Sequence, residues 1–189
     1  MDDLELSANV FHEQAVQAYI SSRMLLATTS LFPMGLYNAH LACECMMKSL
    51  TAQAGRQPAQ KHDLILLNAN LHELIKDNDL LKQEHIRILT WLNLYQELGR
   101  YGALARPQND PDRGTLGLMQ VRGAVSSQPS SDIKDIDLEF SQLRNKSSIS
   151  NDMISKIIAG ETVRGWNFPV PVDEVVLAEN EYIQSQVSE

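Results

Sequence analysis

Apolar residues recur at three- and four-residue spacing through most of the first hundred positions, and this period commits the chain to helices. Ala15, Ala18, Tyr19, Ser22, Leu25, Leu26 and Thr29 form one small-to-apolar stripe, which predicts a first helix over residues 12–30. Pro33 suits the first turn of a second helix, where its missing N–H is harmless. That helix is expected to run to about Ala54, with Tyr37, Leu41, Met47 and Leu50 facing inward. Gly55 tolerates the positive φ of a helix end, and Pro58 prevents continuation. Asp63 is placed to cap a third helix bearing Leu64, Leu67, Leu71 and Leu74. Asp77, Asn78 and Asp79 signal a turn. A fourth helix is expected from about Leu81 to Leu104, with Ile88 or Leu89, Leu92, Tyr95, Leu98 and Tyr101 along its stripe.

Four amphipathic helices with short connections predict an all-α fold, an antiparallel four-helix up-and-down bundle over residues 10–104. Residues 105–131 differ in kind. Pro107, Pro111, Gly114, Gly117, Gly123 and Pro129 interrupt every long period, so this stretch reads as a long loop or arm. Helicity resumes at Ser131 or Asp132, with Ile133, Ile136, Phe140 and Leu143 on one face. Met153, Ile154, Ile157 and Ile158 mark another helix, stopped by Gly160. Prolines hold residues 167–172 extended, and Asp173 is placed to cap a last acidic helix. Residues 132–189 therefore read as a C-terminal extension of additional helices packing on the bundle.

With 189 residues and 43 % apolar content, the chain can bury one core. No run approaches the ~20 consecutive apolar residues of a membrane span. The start at Met1 is acidic, where a secretory signal turns from basic to apolar, so the cytoplasm is the expected compartment. Cys43 and Cys45 sit about 200° apart on a helix and are expected to be small buried thiols, not a disulfide or a shared metal site. The net charge of −8 is concentrated at the ends: residues 1–14 and 170–189 carry nine acids and no Lys or Arg. The body between them is near neutral, which argues against duplex DNA as a partner but leaves room for a few arginines to hold a phosphate.

The segment from Tyr37 to Leu50 places Glu44 four residues before Lys48. His62, Asp63 and Leu64 open the third helix, and Leu94, Tyr95, Arg100 and Tyr101 mark the end of the fourth. In this order, on these helices, the three signals resemble the HEPN superfamily, the helical domain named for higher eukaryotes and prokaryotes nucleotide-binding. The resemblance covers roughly residues 10–102 and implies a homodimer that works with nucleotide or RNA. It also implies, in toxin–antitoxin settings, a nucleotidyltransferase-like protein partner. Many members are metal-independent ribonucleases with an Arg, four to six residues, then a His. Here His85 is the last histidine, so neither Arg100 nor Arg144 can complete that motif; Ile149 stands where the His after Arg144 would fall. Arg56 and His62 meet the spacing only across a loop. A metal-free nuclease needs a group that moves a proton near neutral pH, and His is the usual one.

The sequence therefore offers no catalytic residue, no metal site and no cofactor motif. Its ligand- or RNA-binding candidates are Glu44, Lys48, Arg100, Tyr101 and Arg106. Glu44 and Lys48 either form a local helix ion pair or furnish a polar pair in the bundle groove. Arg100 either complements the helix dipole or holds a phosphate while Tyr101 stacks on a base. His40 and Glu44 lie one turn apart, but the Glu-x-x-His pattern of di-iron bundles is missing. Three functions follow from this reading. The first is a non-catalytic HEPN-like binding module for nucleotide, RNA or protein. The second is a ribonuclease with a degenerate site, and the third is a structural partner-binding protein without a small ligand.

Overall fold

The structure, a computed structural model, describes residues 3–26, 32–101 and 129–149; for residues 32–33, 97–101 and 129–133 it describes the backbone alone. The described residues form five α-helices and one 3-10 turn, with no strand. They are α1 (Asp3–Leu26), α2 (Phe32–Gln53), α3 (Leu64–Ile75), the 3-10 turn Asn78–Leu81, α4 (Gln83–Tyr101) and α5 (Pro129–Arg144). The all-α expectation holds.

Local chemistry sets most helix ends. At the close of α2, Gly55 adopts φ +80°. Its N–H reaches Ala52 O at 3.0 Å while Arg56 N–H reaches Thr51 O at 3.1 Å, so two otherwise orphaned carbonyls are satisfied. Asp63 accepts from the N–H groups of Ile65 and Leu66 at 2.9 and 3.2 Å, which confirms it as the cap of α3. Asp77 accepts from Asp79 N–H to start the 3-10 turn.

Two boundaries differ from expectation. Helix α1 begins at Asp3, not at residue 12, because Asp3 and Glu5 in the first turn suit its positive dipole end. The stripe gave no sign of this, since Leu6 and Val10 in those turns are exposed. Helix α5 begins at Pro129, ahead of Ser131, since proline is preorganised for a first helical turn. Arg106, the 153–158 helix, the extended 167–172 segment and the helix capped at Asp173 lie outside the described residues.

The core is one cluster drawn from all five helices, including Tyr19, Leu36, Met46, Met47, Leu64, Leu71, Leu92 and Phe140. Cross-helix pairs fix the directions. Ala8 meets Ser49 and Leu26 meets Gly35, so α1 and α2 are antiparallel. His12 meets Ser147 and Tyr19 meets Asp137, so α1 and α5 are antiparallel as well. Asn93 meets Leu64 and His85 meets Asn68, which makes α3 and α4 antiparallel, and His85 and Arg87 run against Glu139 and Asp135. Helices α2, α3 and α5 thus point one way, and α1 and α4 the other. Residues 54–63 turn back along α2 before α3 departs in the same direction as α2.

Helix α5 is part of the core. Ile136, Phe140 and Leu143 are buried, and the Phe140 ring stacks on Tyr19 with centroids 4.2 Å apart. Its acid Asp137 accepts from Tyr19 Oη at 2.8 Å and lies 3.2 Å from Arg23 Nε.

Candidate functional site

Residues His40, Glu44 and Lys48 are spaced by four on α2 and make a single row, one turn apart. All three are buried, and Glu44 is the hub. Its Oε1 accepts from Lys48 Nζ at 2.7 Å and lies 3.0 Å from His62 Nδ1. Its Oε2 faces His40 Nδ1 at 3.8 Å, beyond hydrogen-bond reach. Lys48 Nζ also sits 5.7 Å from the centre of the Phe11 ring on α1.

The returning 54–63 connection brings His62 to this row, and the next residue, Asp63, starts a second set of contacts. Asn93 of α4 donates through Nδ2 to Asp63 Oδ1 at 3.0 Å and accepts from Leu64 N–H at 3.0 Å. Because that amide oxygen is an acceptor, His40 Nε2, 3.3 Å away, must carry the proton. Nδ1 is then bare. Burial lowers the His40 pKa from its ordinary 6.5, opposed by the nearby Glu44 carboxylate and the Asn93 hydrogen bond. A neutral ring satisfies both observations.

The thiols of Cys43 and Cys45 interleave with this row and are buried. Burial pushes Cys45 up to about 12, with the Glu44 charge adding to the effect. Burial likewise raises Cys43, helped by Glu139 and Cys45. Both are inert neutral thiols at physiological pH, as the sequence suggested.

Among the candidate residues, the structure joins Glu44 to Lys48 directly. For Arg100 and Tyr101 it gives the backbone at the C-terminal end of α4. Position 100 shares the register of Asn93 to within about 20°, and lies about 10 Å further along the helix. Since α4 runs against α2, that step leads toward the N-terminal end of α2, away from Lys48. Arg56 is exposed, while His62 is engaged with Glu44, so their formal motif spacing brings together nothing chemical. No group of three or more His, Cys, Asp or Glu among the described residues is arranged to hold a metal ion.

Sequence reasoning missed four polar partners: His62 for Glu44, Asn93 for Asp63 and His40, Glu139 for His85, and Ser147 for His12. Each joins positions from different helices or loops, so no local spacing could have announced it. An isolated Asn in the α4 stripe was the one available signal.

A five-helix core whose α2 carries Glu44 and Lys48, gripped by a His-Asp-Leu entry to α3, defines a class of helical-bundle domain. A family model for the HEPN domain matches residues 8–115, and the chain belongs to that family. No curated protein and no solved structure matches it. No helix among the described residues is long and apolar enough to cross a membrane.

Proposed function

We propose that the chain is a homodimeric HEPN-type binding module in the cytoplasm that engages nucleotide or RNA without cleaving it. The observation that carries this reading is the closure of the Glu44 row. Glu44, Lys48 and His62 satisfy one another, and His40 is neutral and held by Asn93. These groups support the fold and are not poised to move a substrate proton. Ligand contact then falls to Arg100, Tyr101 and Arg106 beyond the row, with Arg holding phosphate and Tyr stacking on a base. Family membership supports the nucleotide or RNA class, a protein partner of nucleotidyltransferase type and two-fold assembly.

The test combines three measurements on the full chain. Light scattering should give a dimer. A nucleoside triphosphate or short single-stranded RNA should raise the melting temperature of the wild type and not of Arg100→Ala. RNA should remain intact in EDTA. RNA cleavage abolished by Arg100→Ala would overturn the non-catalytic reading in favour of a ribonuclease. A monomer with no shift for either ligand would leave a structural partner-binding protein.

A further inference from the structure

The buried pair His85–Glu139 holds α5 against the rest of the bundle. His85 is 3 % exposed and Glu139 1 %, with Nδ1 and Oε1 2.5 Å apart. Neither atom has another hydrogen-bond partner among the described residues. Two lone-pair atoms cannot rest at that separation in a dry interior without a proton on one of them.

The other ring nitrogen removes the ambiguity. His85 Nε2 lies 2.8 Å from Asn68 Oδ1, and the Asn68 amide nitrogen donates to Leu80 O at 2.7 Å. The Leu80 carbonyl therefore fixes which end of the amide faces the ring, and Nε2 must be a donor. The ring cannot solve the clash at Nδ1 by moving its proton across, because Nε2 already needs one. The folded protein must keep a proton at the His85–Glu139 contact, whether it is written as imidazolium and carboxylate or as imidazole and carboxylic acid.

We propose that this trapped proton is a latch: α5 stays seated against α2, α4 and α1 while the proton is held, and loosens from α4 when it is lost. Loss would leave a buried carboxylate against a bare imidazole nitrogen with no water to screen them. Burial raises the Glu139 carboxyl above its ordinary value, so the folded pair holds its proton to higher pH than the unfolded chain does. The latch's contribution to stability is thus full in mild acid and disappears as pH rises through the folded value. The effect of burial on Glu139 is opposed by the His85 contact and by Lys146. Besides His85 on α4 and the uncharged Asn68 on α3, the titratable or charged groups facing the pair among the described residues are Cys43 of α2 and Lys146 beyond α5. Cys43 is held as the neutral thiol, and Lys146 is engaged with Asp77. On the other side of α5, Asp137 faces Tyr19 and Arg23 of α1, a contact that does not depend on the latch proton.

Hydrogen exchange of α5 amides, corrected for intrinsic rates, tests this from about pH 6 to about pH 10, a range that spans His titration. In the wild type the opening equilibrium of α5 should rise by up to about tenfold per pH unit over part of the range, the limit for release of one proton. Glu139→Gln can donate to a bare Nδ1 and should give α5 an opening that is flat in pH. Nitrogen NMR of the His85 ring supplies a second readout on the wild type, needing no variant. Its proton loss should coincide with α5 opening. The latch is overturned if wild-type opening is independent of pH, if Glu139→Gln keeps the wild-type slope, or if His85 loses its proton while α5 stays closed.

Discussion

His62 Nδ1 lies 3.0 Å from Glu44 Oε1, so a half-exposed imidazole on the approach to α3 closes over a carboxylate buried in α2. This contact sets the level at which α3 begins. It also explains why His62 and Asp63 are adjacent: one residue grips α2 and the next caps α3.

Removing Glu44 should be costly because it strands the ammonium of Lys48, a residue only 7 % exposed, without its counter-charge. Glu44→Ala is expected to lower unfolding free energy by about 3–5 kcal/mol, the range for breaking one side of a buried ion pair. The double replacement Glu44→Gln with Lys48→Met should recover most of that loss. Urea unfolding of the three proteins measures it, and a single variant within about 1 kcal/mol of wild type would refute the hub role.

Asp63→Ala removes two accepted backbone hydrogen bonds and the anchor of the Asn93 amide. A loss of about 1–2 kcal/mol is expected, toward the upper end for a cap. Faster amide exchange at Ile65 and Leu66 would locate the effect; unchanged exchange there would contradict it.

Gly35 sits where α2 crosses the end of α1. A Cβ there would come within 2.7 and 2.8 Å of the Leu26 side chain and 3.0 Å of its backbone nitrogen. Gly35→Ala should therefore destabilise by about 1–3 kcal/mol despite alanine's better helix propensity. A melting temperature equal to or above that of the wild type would show that the two helices separate readily.

Neutral His40 predicts a pH effect of definite sign. Its folded pKa is lowered by burial, so the unfolded chain takes up the proton first. The stability it contributes is full above the ordinary value of 6.5 and erodes as pH falls below it. His40→Gln keeps a donor for Asn93 and should flatten stability over that acid window, as followed by calorimetry at several pH values.

The raised thiols predict slow chemistry. With Cys45 pushed up to about 12 and Cys43 raised as well, native protein at about pH 8 should resist an aromatic disulfide reagent, while denaturant should release both thiols at once. Fast labelling of either thiol without denaturant would mean that the helices packed on α2 separate on their own.

Three kinds of residue made the helices legible in the sequence. Leu64, Leu67 and Leu71 gave the buried stripe of α3, Asp63 its start, and Gly55 the stop of α2; all three rest on interactions within a few residues. The Glu44–Lys48 pair was legible for the same reason, since four residues is one helical turn. The early start of α1 was not, because its first turns expose Leu6 and Val10 and are tied down through Ala8, whose carbonyl accepts from Ser49 of α2.

Local periodicity and turn chemistry thus determined that the chain is helical, where α2 and α3 meet their caps, and which α2 side chains share a row. Only the tertiary structure decided what that row touches, that α3 runs with α2, and that α5 enters the core through Phe140, Asp137 and Glu139. The reason is physical. A helix repeats within one turn, whereas a buried charge finds its partner by packing, and the partners of Glu44 and Glu139 come from elements 18 and 54 positions away.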